Sequence, residues 1–150
     1  MKITIIYDNT VFQRGLKSDW GFSCLVEAYG RKILFDTGAN GAILLNNMKR
    51  LKIKPSDVEE VFISHYHWDH TGGLLDFLDL NPAKVYIPSS FKKPGIAHDV
   101  VIVKKSITIS ENIFSTGELS KIEQSLVVKK EKGIIIIAGC SHSGVGNILE

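Results

Sequence analysis

Residues 61–73 of this chain are VFISHYHWDHTGG, a short apolar run followed at once by three histidines and an aspartate. Val61 to Ser64 is typical of a buried strand, and Gly72 and Gly73 permit a close turn before a helix. A rigid strand therefore presents several ligand-type side chains from one loop. Three of the five histidines lie within six consecutive positions, which indicates a functional site rather than a polar turn.

The spacing of these histidines predicts a metal site. Successive residues of an extended segment point to opposite sides, so we expect His65 and His67 to face the same way. A tight turn at Asp69 and His70 would bring further ligands to the same place. Neutral imidazole is a common ligand of Zn²⁺, and a catalytic zinc site combines three protein ligands with a position for water.

A second fragment of the site follows the run Gly133 to Ala138, which predicts a fully buried strand. The strand leads into the small, Gly-rich segment GCSHSGVG at 139–146. His142 is thus presented at a strand end, either as the third metal ligand, which we favour, or as a histidine satisfied by local hydrogen bonds. Cys140 is an alternative ligand or a redox-sensitive thiol.

Asp36 ends a third apolar run, Ile33 to Phe35, and is followed by Thr37 and Gly38. An aspartate there either accepts a hydrogen bond from a ligand imidazole and orients it, or caps the next helix through an Asx turn. The residues alone leave both interpretations open.

The composition predicts one globular domain over residues 1–150, with 44% hydrophobic and 23% charged residues. A net charge of +2, with scattered Lys and Arg, does not indicate a nucleic-acid partner. No apolar stretch approaches the length of a membrane span, so we expect no membrane partner and a cytoplasmic location. Cys24 and Cys140 are expected to be free thiols in that compartment.

Strands dominate the predicted secondary structure. Helices are expected over Asn40 to Leu51 and Thr71 to Leu80, with a third beginning at Gly144. Ser89 to Asp99 predicts a mobile loop that contains the isolated His98. A β-sheet covered by helices follows, which is an α/β layered domain. The predicted strands are Lys2 to Tyr7, Phe22 to Ala28, Lys32 to Phe35, Val61 to Ser64, Lys84 to Ile87, Val100 to Val103, Ser106 to Ile109, Ser125 to Lys129 and Gly133 to Ala138.

These features, taken in order, resemble the metallo-β-lactamase superfamily. The chain has a strand ending in Asp36-Thr37-Gly38, a helix, the run HYHWDHTGGL at 65–74 and later GCSH at 139–142. The sequences of the last two motifs are most similar to those of the branch of dihydropteridine-type or methanopterin-precursor synthases. The resemblance implies an α/β fold of the αββα sandwich type.

The resemblance also implies a ligand set. His65, His67 and His142 would surround one divalent metal ion, and Asp69 and His70 a second. Superfamily members continue through a bridging carboxylate, or its substitute, and a further histidine, whereas this sequence stops at Glu150. The second half of the sandwich is therefore expected to be incomplete, either in a fragment or short variant or because a partner subunit supplies the rest. An exposed apolar face would then favour a homo-oligomer.

The expected function is that of a metal-dependent hydrolase. One or two metal ions, preferably zinc with iron or manganese also open, would activate a water that attacks an ester, thioester, lactone or phosphoester of a small-molecule substrate. Asp69 would ligate the second metal or orient the water, and His70 would ligate the second metal or stabilise the leaving group. The alternatives are a non-catalytic metal-binding or regulatory module and a di-iron redox protein.

Overall fold

The strands of this chain form where β-branched and apolar residues cluster in the sequence. The computed structural model describes residues 1–92 and 99–150. All nine predicted strands are present, with ends within two residues of the expected ones. The strands are β1 Lys2–Tyr7, β2 Ser23–Ala28, β3 Arg31–Phe35, β4 Glu60–Phe62, β5 Lys84–Pro88, β6 Val100–Val103, β7 Lys105–Ser110, β8 Ile113–Gly117, β9 Leu126–Lys130 and β10 Gly133–Ile137, and the helices are α1 Gly41–Arg50, α2 Trp68–Thr71, α3 Leu74–Leu80 and α4 Val145–Leu149.

Two sheets organise these elements. The first has the order β1-β2-β3-β4-β5-β6, antiparallel from β1 to β3 and parallel from β3 to β6. The second is antiparallel, with the order β10-β9-β8-β7. Lys104 alone separates β6 from β7, so the chain passes from the edge of one sheet directly into the edge of the other.

The central strands of the first sheet, β2 to β5, are covered on both faces. In β3, Leu34 packs against the helix side, whereas Ile33 and Phe35 pack between the two sheets. Leu44 of α1 and Phe77 of α3 belong to the helix-side cluster. Strands buried on both faces need apolar residues at every position, which explains the continuous apolar runs in the sequence. The predicted α/β layered fold is confirmed.

The second sheet is less covered, and here one prediction was wrong. The run Gly133 to Ala138 was expected to be fully buried, but β10 is an edge strand. Ile134 and Ile135 are 59% and 37% exposed, and Ile137 is the buried isoleucine of the strand. α4 borders the outer face of this sheet, where Ile148 lines a cavity with Phe114. The homo-oligomer expected from an exposed apolar face stays a prediction.

Two helix boundaries and one strand also differ from expectation. The predicted helix Thr71 to Leu80 is two helices, and the first begins at Trp68, so Asp69 and His70 lie on a helical turn rather than in a tight turn. β8 was not predicted, because its polar Ser115 and Thr116 hide the alternating pattern. Residues 93–98 of the predicted loop, including His98, lie outside the described residues. None of the helices in the described part of the chain combines the length and apolar character needed to cross a membrane.

Gly72, between α2 and α3, tests how closely this turn packs against the segment between β3 and α1. Its φ of −60° suits any residue, but a Cβ atom would lie 2.0 Å from the backbone oxygen of Ala39. Gly72→Ala should therefore lower the free energy of unfolding by about 1–3 kcal/mol, as overpacked sites do, measured by urea denaturation.

Gly146→Ala is the matched control, because Gly146 is helical and its Cβ position meets no described atom within 4 Å. Alanine there should leave stability unchanged or raise it by up to about 1 kcal/mol through helix propensity. Equal effects of the two substitutions would contradict a steric constraint at Gly72.

Candidate metal centre

Asp36 is the buried centre of the site. It follows β3 with a φ of +54° and is fully buried. Its Oδ1 accepts from the backbone N–H of Ser64 at 2.7 Å, and its Oδ2 accepts from the Ser64 hydroxyl at 2.7 Å. Oδ2 also lies 2.7 Å from Nδ1 of His70. The sequence left two interpretations of Asp36 open. The structure shows its carboxylate hydrogen-bonded to an imidazole, and the residue that caps α1 is Asn40.

His70 is held from both ends. Its backbone oxygen accepts from the N–H of Thr37 at 2.8 Å and from the Thr37 hydroxyl at 3.0 Å. Its Nδ1 donates to Asp36, so Nε2 is the nitrogen left for the site. Burial disfavours the charged imidazolium, but the hydrogen bond and charge of Asp36, together with Asp69 and Glu123, outweigh it, so the pKa of His70 is raised.

His65 has a different electrostatic environment. It is fully buried just after β4, and its Nδ1 lies 2.8 Å from the Ser64 hydroxyl. Burial lowers its pKa to about 3, helped by the charges of the histidines around it. A neutral imidazole at physiological pH is the form that binds a metal ion.

His65, His67 and His142 converge as the sequence suggested. Their ligand nitrogens all lie within 4.8 Å of one another. The ring of His65 is 4.5 Å from that of His67 and 4.9 Å from that of His142, and the last two are 4.8 Å apart. His67 and His142 are exposed, whereas His65 closes the floor. The arrangement can hold one metal ion and leave one side open to solvent.

A second group adjoins the first. Nε2 of His70 lies 3.6 Å from Oδ2 of Asp69 and 3.2 Å from Sγ of Cys140. His65, His70 and Cys140 also have ligand atoms within 4.8 Å of one another. All predicted site residues are therefore in one place, and Asp69 and His70 lie beside the triad of histidines.

Glu123 belongs to the site although the sequence analysis did not single it out. It is fully buried, forms a β-bridge with His65, and accepts from the backbone N–H of Ser143 at 2.6 Å. It thus connects the segments that carry His65 and His142. Its neighbour Gln124 donates to the backbone oxygen of Ile63 at 2.9 Å. The only feature of the sequence that points to Glu123 is the polar run Glu-Gln-Ser just before β9.

A cavity of about 290 Å³ opens on the second group of ligands. Asp69, His70 and Cys140 line it on one side, and Trp20 and Asn9 on the other. A larger cavity of about 490 Å³ lies beside β1 and has none of the site residues in its lining. The smaller cavity is the better candidate for binding substrate, because it contains the chemistry.

Curated relatives match nearly the whole chain. The 7,8-dihydropterin-6-methyl-4-(beta-D-ribofuranosyl)-aminobenzene-5'-phosphate synthase of Methanocaldococcus jannaschii is 25% identical in an alignment that covers 98% of this chain and 69% of that protein. An uncharacterized protein of the same organism is 27% identical in an alignment that covers 99% of this chain and 72% of that protein.

Solved structures share the fold at lower identity. A quorum-quenching N-acyl homoserine lactone lactonase superposes with a TM-score of 0.61 and 20% identity, over 77% of this chain and 58% of that one. The Rm3 metallo-beta-lactamase superposes with a TM-score of 0.58 and 18% identity, over 89% of this chain and 59% of that one. The chain thus spans about three fifths of the length of these structures.

The family model of the metallo-beta-lactamase superfamily matches residues 21–146. That range includes Asp36, the histidine run and His142. By this match, and by the fold that it shares with the solved structures, the chain belongs to the metallo-beta-lactamase superfamily.

Proposed function

We propose that this protein is a metal-dependent hydrolase that cleaves an ester-type bond of a small molecule, with His65, His67 and His142 holding the principal metal ion. The superfamily to which the chain belongs consists mostly of metal-dependent hydrolases. The observation that carries the proposal is the convergence of three imidazoles within 4.8 Å, one of them buried and neutral, at an opening to solvent.

The charges of the site support a bound cation. Asp36 and Glu123 are fully buried, and Asp69 is largely buried. Asp36 and Asp69 pair with His70, and within residues 1–92 and 99–150 none of the three carboxylates pairs with a lysine or an arginine. Buried carboxylates need a compensating positive charge, and the donor set of imidazole and carboxylate suits zinc, iron or manganese.

Each residue has a distinct part in this proposal. A divalent metal ion supplies Lewis acidity and lowers the pKa of water toward neutrality. His65 presents a neutral nitrogen even in mild acid, because its pKa is about 3. Asp36 fixes the ring of His70 so that Nε2 faces the cavity. Asp69, at the cavity wall, accepts the proton of the attacking water or binds a second ion.

The cavity beside these residues supports the proposed substrate class. Trp20 and Phe22 give it apolar walls, while Asp8 and Asn9 add polar groups. A compact lactone, ester, thioester or phosphoester with an apolar substituent fits this lining. The lactonase among the solved structures is named for such a bond.

A second candidate function is the synthase reaction for which the Methanocaldococcus jannaschii relative is named. The alignment with that protein covers 98% of this chain, which favours it over a function taken from the shorter structural matches. Incubation with a dihydropterin that carries a leaving group, such as diphosphate, on its 6-methyl carbon, together with a phosphorylated aminobenzene riboside, distinguishes the two. A coupled product with release of the leaving group supports the synthase, and turnover of simple esters alone supports the hydrolase.

His67→Ala tests the metal site directly. Removing one of three converging imidazoles should abolish both the metal ion bound by this triad and the turnover of an ester and lactone panel. Elemental analysis of the purified protein measures the metal and identifies it as zinc, iron or manganese. Visible absorbance with bound iron would instead favour the di-iron redox alternative.

Tyr66→Phe is the control for His67→Ala, since Tyr66 is the adjacent exposed residue and carries no ligand atom of the cluster. It should retain the full metal content. Unchanged metal in His67→Ala would refute the ligand assignment. Full metal in the unaltered protein, with no turnover of any substrate, would identify a non-catalytic module.

Asp36→Asn tests how the buried carboxylate orients His70. The amide keeps the size of the side chain but loses its charge and points an NH₂ group at a donor, which leaves a buried hydrogen bond unmade. Loss of a carboxylate behind a ligand histidine typically weakens metal binding by roughly 10–100-fold. We expect a loss of that size for the ion that His70 contacts, measured by competition with a chelator.

Asp79→Asn is the matched control, because Asp79 is exposed on α3, away from the site. It should not change metal affinity. The same affinity in Asp36→Asn as in Asp79→Asn would contradict an orienting function for Asp36.

A further inference from the structure

Cys140 lies among the ligand atoms of the site without a part in the chemistry assigned so far. It follows β10, is exposed, and is a free thiol. Its Sγ is 3.2 Å from Nε2 of His70. Because Nδ1 of His70 is bonded to Asp36, Nε2 is the nitrogen that can bind an ion, and the thiol stands directly beside it.

The distances around His70 are close to those between ligands of a single ion. Bond lengths of about 2.0–2.3 Å in a tetrahedral zinc site place neighbouring ligand atoms about 3.3–3.8 Å apart. Nε2 of His70 lies 3.2 Å from Sγ of Cys140 and 3.6 Å from Oδ2 of Asp69. The thiol of Cys140 and the carboxylate of Asp69 thus both lie close to the same imidazole nitrogen on the cavity wall. The ligand atoms of Cys140 and His70 also lie within 4.8 Å of one another and of a ligand nitrogen of His65.

The position of Cys140 is fixed by close packing. A Cβ atom on the preceding Gly139 would lie 2.4 Å from Oγ of Ser64 and 3.2 Å from Nδ1 of His65. The backbone next to Cys140 therefore packs directly against Ser64 and His65. A thiol on this backbone is presented to the site in the folded chain rather than reaching it by a loop movement.

A buried carboxylate provides an independent indication of a cation at this point. Glu123 is fully buried, and its Oε2 has no hydrogen-bond partner among the described residues. Its charge acts on both His70 and Cys140. A buried carboxylate oxygen without a partner is costly unless a positive charge lies close to it.

We propose that the Cys140 thiolate is a ligand of a second metal ion, together with Asp69 and His70. The inference rests on the proposed metal centre and specifies the composition of its second half. One soft sulfur ligand beside an imidazole and a carboxylate selects zinc or cobalt over magnesium and calcium. The second site is then held by three side chains of this chain, one more than the sequence analysis assigned to it.

Titration of the metal-free protein with Co²⁺ tests the proposal. A cobalt–thiolate bond gives a charge-transfer band in the near ultraviolet that nitrogen and oxygen ligands do not give. The band should appear in the unaltered protein as the second equivalent binds. In Cys140→Ser it should be lost, and the affinity for the second ion should fall roughly tenfold or more.

Cys24→Ala is the matched control, because Cys24 is buried between the sheets and is the other free cysteine. That variant should keep the band and two bound ions. A second measurement uses the unaltered protein and so does not depend on any substitution. Bound metal should protect Cys140 from alkylation by iodoacetamide, and removal of the metal with a chelator should restore the reactivity of the thiol.

The outcomes separate this inference from the proposed function. Two cobalt ions bound without a charge-transfer band, or a thiol equally reactive with and without metal, would overturn the assignment of Cys140 and leave the hydrolase proposal intact. A protein that binds no cobalt at all would overturn the metal centre itself, and the assignment of Cys140 with it.

Discussion

The buried carboxylate of Asp36 is the constraint on which the arrangement of this site depends. It has no exposed surface, and its oxygens accept from three donors that belong to Ser64 and His70. Removing a carboxylate from water costs several kcal/mol, and only charge-assisted hydrogen bonds of good geometry offset that cost. Its φ of +54° is tolerated for the same reason. The side chain of Asp36 therefore connects three segments: the end of β3, the segment after β4 and helix α2.

The hydrogen bonds of Asp36 explain why the site lies at one edge of the first sheet. β3 and β4 are parallel neighbours, so Asp36 and Ser64 leave the sheet at the same edge. The second sheet joins this edge through Glu123 and Gln124, which bond to the segment just after β4. The same contacts that hold the two sheets together thus hold His65 against the loop that carries His142. The hydrogen bonds of Glu123 and Gln124 thus both join the two sheets and position the candidate ligands.

The sequence predicts the parts of this protein that depend on local pattern. Apolar runs such as Ile33 to Phe35 indicate strands, and three closely spaced histidines indicate a metal site, since both follow from neighbours in the chain. The exposed edge position of β10 could not be predicted, because four isoleucines look the same whether or not a neighbouring strand covers them. Glu123 could not be found either, since its partners His65 and Ser143 lie far away in the sequence.

The two sides of the centre differ in charge, and that difference bears on the chemistry proposed for it. The triad of His65, His67 and His142 contributes neutral nitrogens, so an ion held there keeps most of its positive charge for a bound substrate. The side of His70 has Asp36 and Asp69 around it, and these carboxylates compensate much of the charge of a second ion. Because the hydrogen bonds of Asp36 come from Ser64 and His70, the fold itself holds the anionic side in place. The fold thereby produces an electrophilic side and a charge-compensating side within one cluster of side chains.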